Sequence, residues 1–407
     1  MASVSNKIEH IKDTERPLHF IFFLFGLGVM SWVPRFPEVK KNLGLTNGEF
    51  GSLLSIGSLG ALLALMTVGH FVNHFGNRHM LWLSASTFSI GIALIVHITN
   101  PILFAICNVI IGASISAFNI AINSQTLTAQ AAMEKLLLPK TAGIWSSGAL
   151  IAILLNGFIV THVTLSWHIG IVSAISLIGI FINLQRISPH MVPPTPSESS
   201  QLTVIFKFWK MKVDWFFCLI MLLAIQIEFS MADWATIYTT ENLKSRVDFA
   251  AYPYLVFLAF MIVGRLGIGK FSDKYEAATL LKFGAIVGGA GYCFGVFASH
   301  LVLDQSQTLS FFFFLIAMGL GGLGASFLAP LFINEAQKRS AKTYAVVIGE
   351  IGAINIAMVF VMKGVIAWIA QLFGLFIGML IPGLMLLGVV FASQVLKPKS
   401  DSENAYF

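Results

Sequence analysis

The sequence predicts an all-α membrane protein: twelve transmembrane helices in two pseudo-symmetric six-helix bundles. Three observations predict it. Of 407 residues, 57% are hydrophobic and only 11% charged, whereas an average soluble domain has about 25% charged residues. Apolar runs recur at the length that crosses a ~30 Å hydrocarbon core, about 20 helical residues, and the alternating ten-residue strands of a membrane barrel are absent. One long polar break, Arg186 to Lys212, holds four prolines and a serine cluster and leaves six apolar runs on either side.

In chain order, spans are predicted at 17–37, 49–71, 79–97, 101–124, 141–162, 165–185, 214–238, 250–271, 278–299, 309–333, 343–367 and 370–395. The first closes on Trp32-Val33-Pro34-Arg35-Phe36-Pro37, where two prolines bend the chain. The tenth opens with the phenylalanines 311–314, packing or lipid-facing mass, and Pro330 bends it nearer its inner end. Between Tyr344 and Leu396 the apolar text is almost unbroken, and Lys363 and Gln371 bracket the expected turn, with Lys363 snorkelling at the outer surface. Residues 1–16 form a polar cytoplasmic segment without a small-residue cleavage site, so the first helix is expected to act as the insertion signal. The bundles occupy 17–185 and 214–396, joined by a cytoplasmic linker at 186–213 in which Val204 to Trp209 lies along the interface; 397–407 is a cytoplasmic tail. The terminal SENAYF resembles a truncated protease-tag site and carries no fold argument.

Orientation follows from the basic residues. With both termini cytoplasmic, the outer segments hold Arg35, Lys40, Lys41, Lys244, Arg246 and Lys363, leaving 19 of the 25 Lys and Arg inside. A net charge of +6 scattered over many loops sets topology and calls for no nucleic-acid partner. Cys107, Cys218 and Cys293 fall inside predicted helices as small packing residues, which suggests neither a disulfide nor a metal site.

The two halves echo each other. Gly69-His70-Phe71-Val72-Asn73-His74-Phe75-Gly76-Asn77-Arg78 separates the second and third spans, and Gly269-Lys270-Phe271-Ser272-Asp273-Lys274 separates the eighth and ninth. Each is glycine, three residues, then Asn or Asp followed by a base, at equivalent places in the two halves, which marks an internal repeat. The glycine permits close helix approach and the short polar side chain can cap a helix end.

These loops resemble the Gly-x-x-x-Asp-Arg-x-Gly-Arg/Lys signature of the major facilitator superfamily, and the resemblance covers essentially the whole chain. Within it, Trp32 to Leu63 and Met231 to Tyr238 look like the bacterial YbjJ-like branch. The resemblance implies alternating access in a bacterial inner membrane by a monomer, with two bundles rocking around a central site lined chiefly by spans 1, 4, 7 and 10. It makes Gly69, Asn73, Arg78, Gly269, Asp273 and Lys274 the inner gating residues. One departure is that Asn73 and His74 stand where the family usually has Asp and Arg.

The seventh run, Phe216 to Tyr238, carries Glu228 and Asp233, the candidate proton-coupling acids. A carboxylate at the centre of a spanning helix costs roughly 2.5–3.5 kcal/mol, so such acids usually face a polar cavity. Five residues turn a helix by about 140°, so the two acids have separate tasks. Glu228 is expected to face the cavity and bind a proton, or else to be a permanently hydrogen-bonded packing carboxyl. Asp233 is expected to close an outer gate with Arg35, which otherwise snorkels to headgroups. Arg265 and Glu350 lie at compatible depths and are expected to pair, holding the eighth span against the eleventh or assisting the inner gate. Asn119 and Asn123, four apart on one helix face, suit a polar solute or interhelical hydrogen bonds. Trp32, Trp145, Gln226 and Asn355 are further candidates for the same cavity, with Glu228 completing the set.

Other chemistries find no support. His70, His74 and His79 lack carboxylate or thiolate company for a metal, and no phosphate-binding P-loop, nucleophile elbow or zinc-protease motif is present. No cofactor is expected beyond a proton gradient. The sequence therefore reads as a secondary transporter, not an enzyme, bringing in a small polar solute such as a sugar or nucleoside with a proton. The alternative is proton-driven export of drugs or metabolites. Thr141 to Gly157 has no proline where exporters commonly carry a Gly-Pro signature, which lowers that alternative.

Overall fold

The computed structural model describes residues 14–133, 137–187, 215–272, 274–338 and 344–395. The N-terminal segment to residue 13, the linker from 188 to 214 and the tail lie outside them. Twelve helical passes are present, ten of them long and apolar enough to cross a membrane; Asn77–Ile95 and the shorter Leu375–Phe391 are the other two.

Most helices run further than predicted. The first, Glu15–Met30, continues through a 3-10 turn at Val33–Arg35 into Phe36–Leu43, so its prolines bend the pass without ending it. The next five are Asn47–Phe75, Asn77–Ile95, Pro101–Met133, Leu138–Ile159 and Leu165–Ile187. Trp215–Ile237 forms the seventh, extended by a π-turn at Tyr238–Asn242, and Tyr252–Ser272 the eighth. The ninth is interrupted by a π-turn at Ile286–Ala290 between Ala277–Ala285 and Gly291–Leu301, and the tenth is broken between Gln307–Ala325 and Leu328–Lys338.

Between the last two passes the structure corrects the expected turn. Tyr344–Phe373 and Leu375–Val395 are separated by Gly374 alone, at φ +92°, a conformation that favours glycine. Lys363 consequently lies ten residues, ~15 Å, before the end of its helix rather than at the outer surface.

Two compact units result. The first takes in the first six passes together with Ser245–Leu255 and Ile356–Leu372; the second comprises Val213–Lys244, Val256–Asn355 and the chain from Phe373. Lipid is as apolar as leucine, so packing inside each unit depends on close backbone approach and interhelical hydrogen bonds. In the first unit, Gly112 of the fourth pass sits against the Gly57 carbonyl of the second, where any Cβ would overlap it. Asn108 locks that crossing with a 2.8 Å bond from Nδ2 to the Leu53 carbonyl. In the second unit, Gly322 of the tenth pass sits in the same way against the Phe257 carbonyl of the eighth. Gly57 and Phe257 are 200 residues apart, the offset of the two signature loops, so the repeat extends to the packing.

Candidate functional site

The seventh pass presents one acid and hides another. Glu228 has 40% of its side chain exposed, whereas Asp233 is 8% exposed. Gln226, two residues before Glu228 and so about 200° around the helix, is fully buried and donates from Nε2 to Ser230 Oγ at 3.3 Å. Its side chain is closed off from water in this structure. Asn355 is buried as well, with Nδ2 turned to the Ile351 carbonyl one helical turn back, at 3.0 Å.

Glu228 has a partner that the sequence did not pair with it. Arg265 Nη2 donates to Glu228 Oε2 at 3.3 Å, and Arg265 Nε donates to the Ser326 carbonyl at 3.2 Å. The expected pairing had been Arg265 with Glu350, whose side chain lies outside those described. Ser326 stands in the break of the tenth pass, where the backbone carbonyls lose their regular partners. Its hydroxyl donates to the Leu323 carbonyl at 2.6 Å, and it packs over Gly264, where any side chain would collide with Ser326 Oγ. The residue before Arg265 thus makes room for the carbonyl that Arg265 holds. The signal in the sequence was two opposite interior charges on consecutive spans; what it lacked was the tenth-pass break that aims the arginine.

In the first unit, Asn123 Nδ2 donates to Asn119 Oδ1 at 2.8 Å on an open face of the fourth pass, so the two amides share one face as expected. Trp145 meets Phe25 edge-on at 6.5 Å, and Trp32 is buried edge-on against Phe36 at 4.9 Å. Arg35 is 1% exposed. Its Nε lies 2.6 Å from Glu38 Oε1, Nη2 donates to Glu38 Oε2 at 2.8 Å, and both terminal nitrogens reach the Val163 carbonyl at 3.2–3.3 Å. Headgroup snorkelling is therefore not its arrangement.

The signature loops are partly described. Gly69 and Arg78 are exposed, and no atom lies within 4 Å of a Cβ added at Gly69. Gly76 takes φ +81°, while Asn77, buried, donates from Nδ2 to the Ala121 carbonyl at 3.2 Å and to Gln125 Oε1 at 3.4 Å. That bond ties the loop to the fourth pass, and sequence reasoning missed it. Lys274 is exposed; Asp273 and the side chains of Asn73 and Gly269 lie outside the description. His70 and His74 stack with ring centroids 6.5 Å apart, and among the described residues no three His, Cys, Asp or Glu converge.

A second missed feature is a seam in the first unit. Gln371 Oε1 accepts from the Asn47 and Gly48 backbone N–H groups at 2.9 and 3.4 Å, and Trp368 Nε1 donates to Ser52 Oγ at 3.1 Å. The start of the second pass is thereby fastened to the end of the eleventh, at the helix ends remote from both termini. Nearby in the fold, Gly157 of the fifth pass packs against Tyr252 at the start of the eighth.

Comparison with known proteins agrees with this architecture. Residues 18–349 match the family described as Major Facilitator Superfamily. An MFS-type transporter of Yersinia pestis is 25% identical over 92% of this chain and 94% of its own length, and the membrane protein MosC of Rhizobium meliloti is 25% identical over 89% and 85%. Among solved structures, a mutant form of the nucleoside transporter NupG superposes with a TM-score of 0.80 at 14% identity, covering 95% of this chain and all of that one. A D-xylose-proton symporter superposes at 0.72 and 14%, covering 95% and 97%. At such identity the likeness is one of fold.

Proposed function

The chain belongs to the major facilitator superfamily, and on that premise we propose that it takes up a small polar organic solute, of sugar or nucleoside kind, together with a proton. It is a multi-pass secondary transporter and not an enzyme. The proposal places it in a bacterial inner membrane as a monomer of the YbjJ-like branch, with both termini cytoplasmic; bacterial relatives and the distribution of basic residues support the placement.

The observation that carries the reading is the Glu228–Arg265 ion pair. Both groups lie within spanning helices, yet 40% and 44% of their side chains are exposed. Lipid does not accept such a pair on its surface, so the open side meets a water-filled path. A carboxylate that reaches water and is held by one 3.3 Å hydrogen bond can take up a proton and release the arginine. Protonation then frees the seventh pass from the eighth and tenth, which stay joined because Arg265 also holds the Ser326 carbonyl. Asn119, Asn123, Trp145 and Trp32 are the groups proposed to meet the solute from the first unit. Arg35 with Asp233 is proposed as the outer gate, and Gly69, Asn73, Arg78, Gly269, Asp273 and Lys274 as inner gating residues. Glu350 is proposed to assist at the inner end of the eleventh pass.

The test is solute uptake by proteoliposomes under an imposed inward proton gradient. The parent accumulates solute against its gradient, whereas Glu228→Gln equilibrates it without accumulation. Accumulation by Glu228→Gln with unchanged pH dependence would remove Glu228 from the coupling step, and gradient-driven extrusion in its place would establish export.

A further inference from the structure

We infer that Arg265 recognises an anionic group, so that the solute carries a carboxylate or comparable single negative charge that takes the place of Glu228 when Glu228 is protonated. The inference rests on the proton-coupled reading and replaces its neutral sugar or nucleoside with a small polar acid.

Arg265 lies seven residues before the end of Tyr252–Ser272, about 10 Å inside the helix, with 44% of its side chain open. A guanidinium carries five N–H donors and stays charged at any working pH. Among the described residues, two are engaged: Nε on the Ser326 carbonyl and one hydrogen of Nη2 on Glu228. The bond to Glu228 is single and long beside the 2.7–2.9 Å typical of a bidentate arginine–carboxylate fork. Nη1 and the other Nη2 hydrogen make no bond among the described residues, and the side chain is 44% exposed.

The anchor is independent of the acid. Nε is bound to a main-chain carbonyl fixed by the Ser326 turn and by the close approach of Gly264, so Arg265 keeps its place when Glu228 lets go. This separates two roles: Glu228 can change charge, and Arg265 holds its charge in position.

Charge balance then selects the solute. Empty, the pair sums to zero. A proton on Glu228 alone leaves one positive charge at membrane depth without a counter-charge, solvated only on its open side. A neutral sugar arriving with the proton leaves that charge in place, whereas a monoanion on Arg265 restores neutrality. Elsewhere on the seventh pass, which carries Glu228, and on the π-turn beyond it, the titratable side chains with charge to offer are Asp233 and Glu241. Leu375–Val395 and Gln307–Ala325, which pack against that pass, carry no charged residue, and Leu328–Lys338 adds Glu335 and Lys338. Apart from Arg265 on the neighbouring eighth pass, none of these makes a described bond to Glu228. The matching solute is a small organic acid in its monoanionic form, hydroxylated acids included, and its entry with one proton is electroneutral.

The test uses the full chain in nanodiscs and follows thermal stabilisation by glucuronate and acetate against neutral glucose. In the parent, glucuronate stabilises more in acidic than in neutral buffer, because binding takes up a proton. Glu228→Gln makes the arginine permanently available, so glucuronate acts at lower concentration and independently of pH. Glu228→Gln/Arg265→Gln loses the effect, and Glu228→Gln/Arg265→Lys, which keeps the charge without the fork, retains part of it. Size-exclusion profiles establish that each variant is folded. Failure of both acids to stabilise Glu228→Gln, equal stabilisation by glucose, or persistence of the effect without Arg265 would each overturn the inference. A neutral sugar accumulated by a proton gradient in the parent would also overturn it while leaving coupled transport standing. Carboxylate binding by Glu228→Gln in a protein that the gradient cannot drive would do the reverse.

Discussion

Replacing Gln371 by leucine removes the acceptor that fastens the start of the second pass to the end of the eleventh. Its Oε1 accepts a 2.9 Å bond from Asn47 N–H and a weaker one at 3.4 Å from Gly48 N–H, and Trp368 adds a 3.1 Å bond to Ser52. A neutral hydrogen bond contributes about 0.5–1.5 kcal/mol net, and water takes over exposed donors. Gln371→Leu therefore costs about 1 kcal/mol, and Gln371→Leu/Trp368→Phe about 2 kcal/mol. If the seam belongs to one transport conformation and opens in the other, these values shift the balance between them by roughly fivefold and thirtyfold. The assay starts from a chain with Cys107, Cys218 and Cys293 replaced and a reporter cysteine at Asn119, on the open face of the fourth pass. Labelling by a membrane-impermeant maleimide from the face remote from the termini is expected to accelerate by those factors. A fall in melting temperature with unchanged labelling would refute the reasoning, because the seam would then be static packing present in both states.

Other consequences follow from single contacts. Gly322→Val drives a side chain into the Phe257 carbonyl, which cannot rotate away, and is expected to cost about 3 kcal/mol, read as a lowered unfolding midpoint in detergent. Gly364→Ala, with no atom within 4 Å of the new Cβ, is the control and is expected to hold or slightly raise the midpoint. Arg35→Gln removes a buried partner from Glu38 and is expected to destabilise by about 2 kcal/mol, with Arg35→Lys intermediate because it cannot reach Glu38 and Val163 at once. Asn77→Ala forfeits the bond to the Ala121 carbonyl and is expected to cost about 1 kcal/mol, measured by the same unfolding assay.

Much of the fold was legible because lipid imposes one rule on every helix, and length and apolarity report it directly. Limits of helices were less legible. Pro34 and Pro37 read as an end, but proline near the first turn of a new helical segment is tolerated, and the pass continues to Leu43. Lys363 read as a surface anchor because a charge was taken to mark a boundary; the boundary was Gly374, a single residue in a conformation that favours glycine. In the site, helical rotation separates Gln226 from Glu228, since the two point about 200° apart, and Gln226 is the buried one. The Glu228–Arg265 pair and the Gln371 seam were not legible, because each depends on a tertiary crossing: one on the broken tenth pass, the other on residues 324 positions apart.

The two acids of the seventh pass differ in exposure, and the difference favours Glu228 for the proposed coupling. A coupling group must exchange its proton with water on each side of the membrane in turn, so it has to be reachable in at least one conformation without unpacking the helix. Glu228 meets that condition, 40% exposed and held by one described hydrogen bond; Asp233, five residues on, is buried. Environment, more than residue type, divides such roles between neighbouring carboxylates. The division also bears on how the helix carries two acids at tolerable cost, since water on the open side solvates one and the buried other has an interaction of its own.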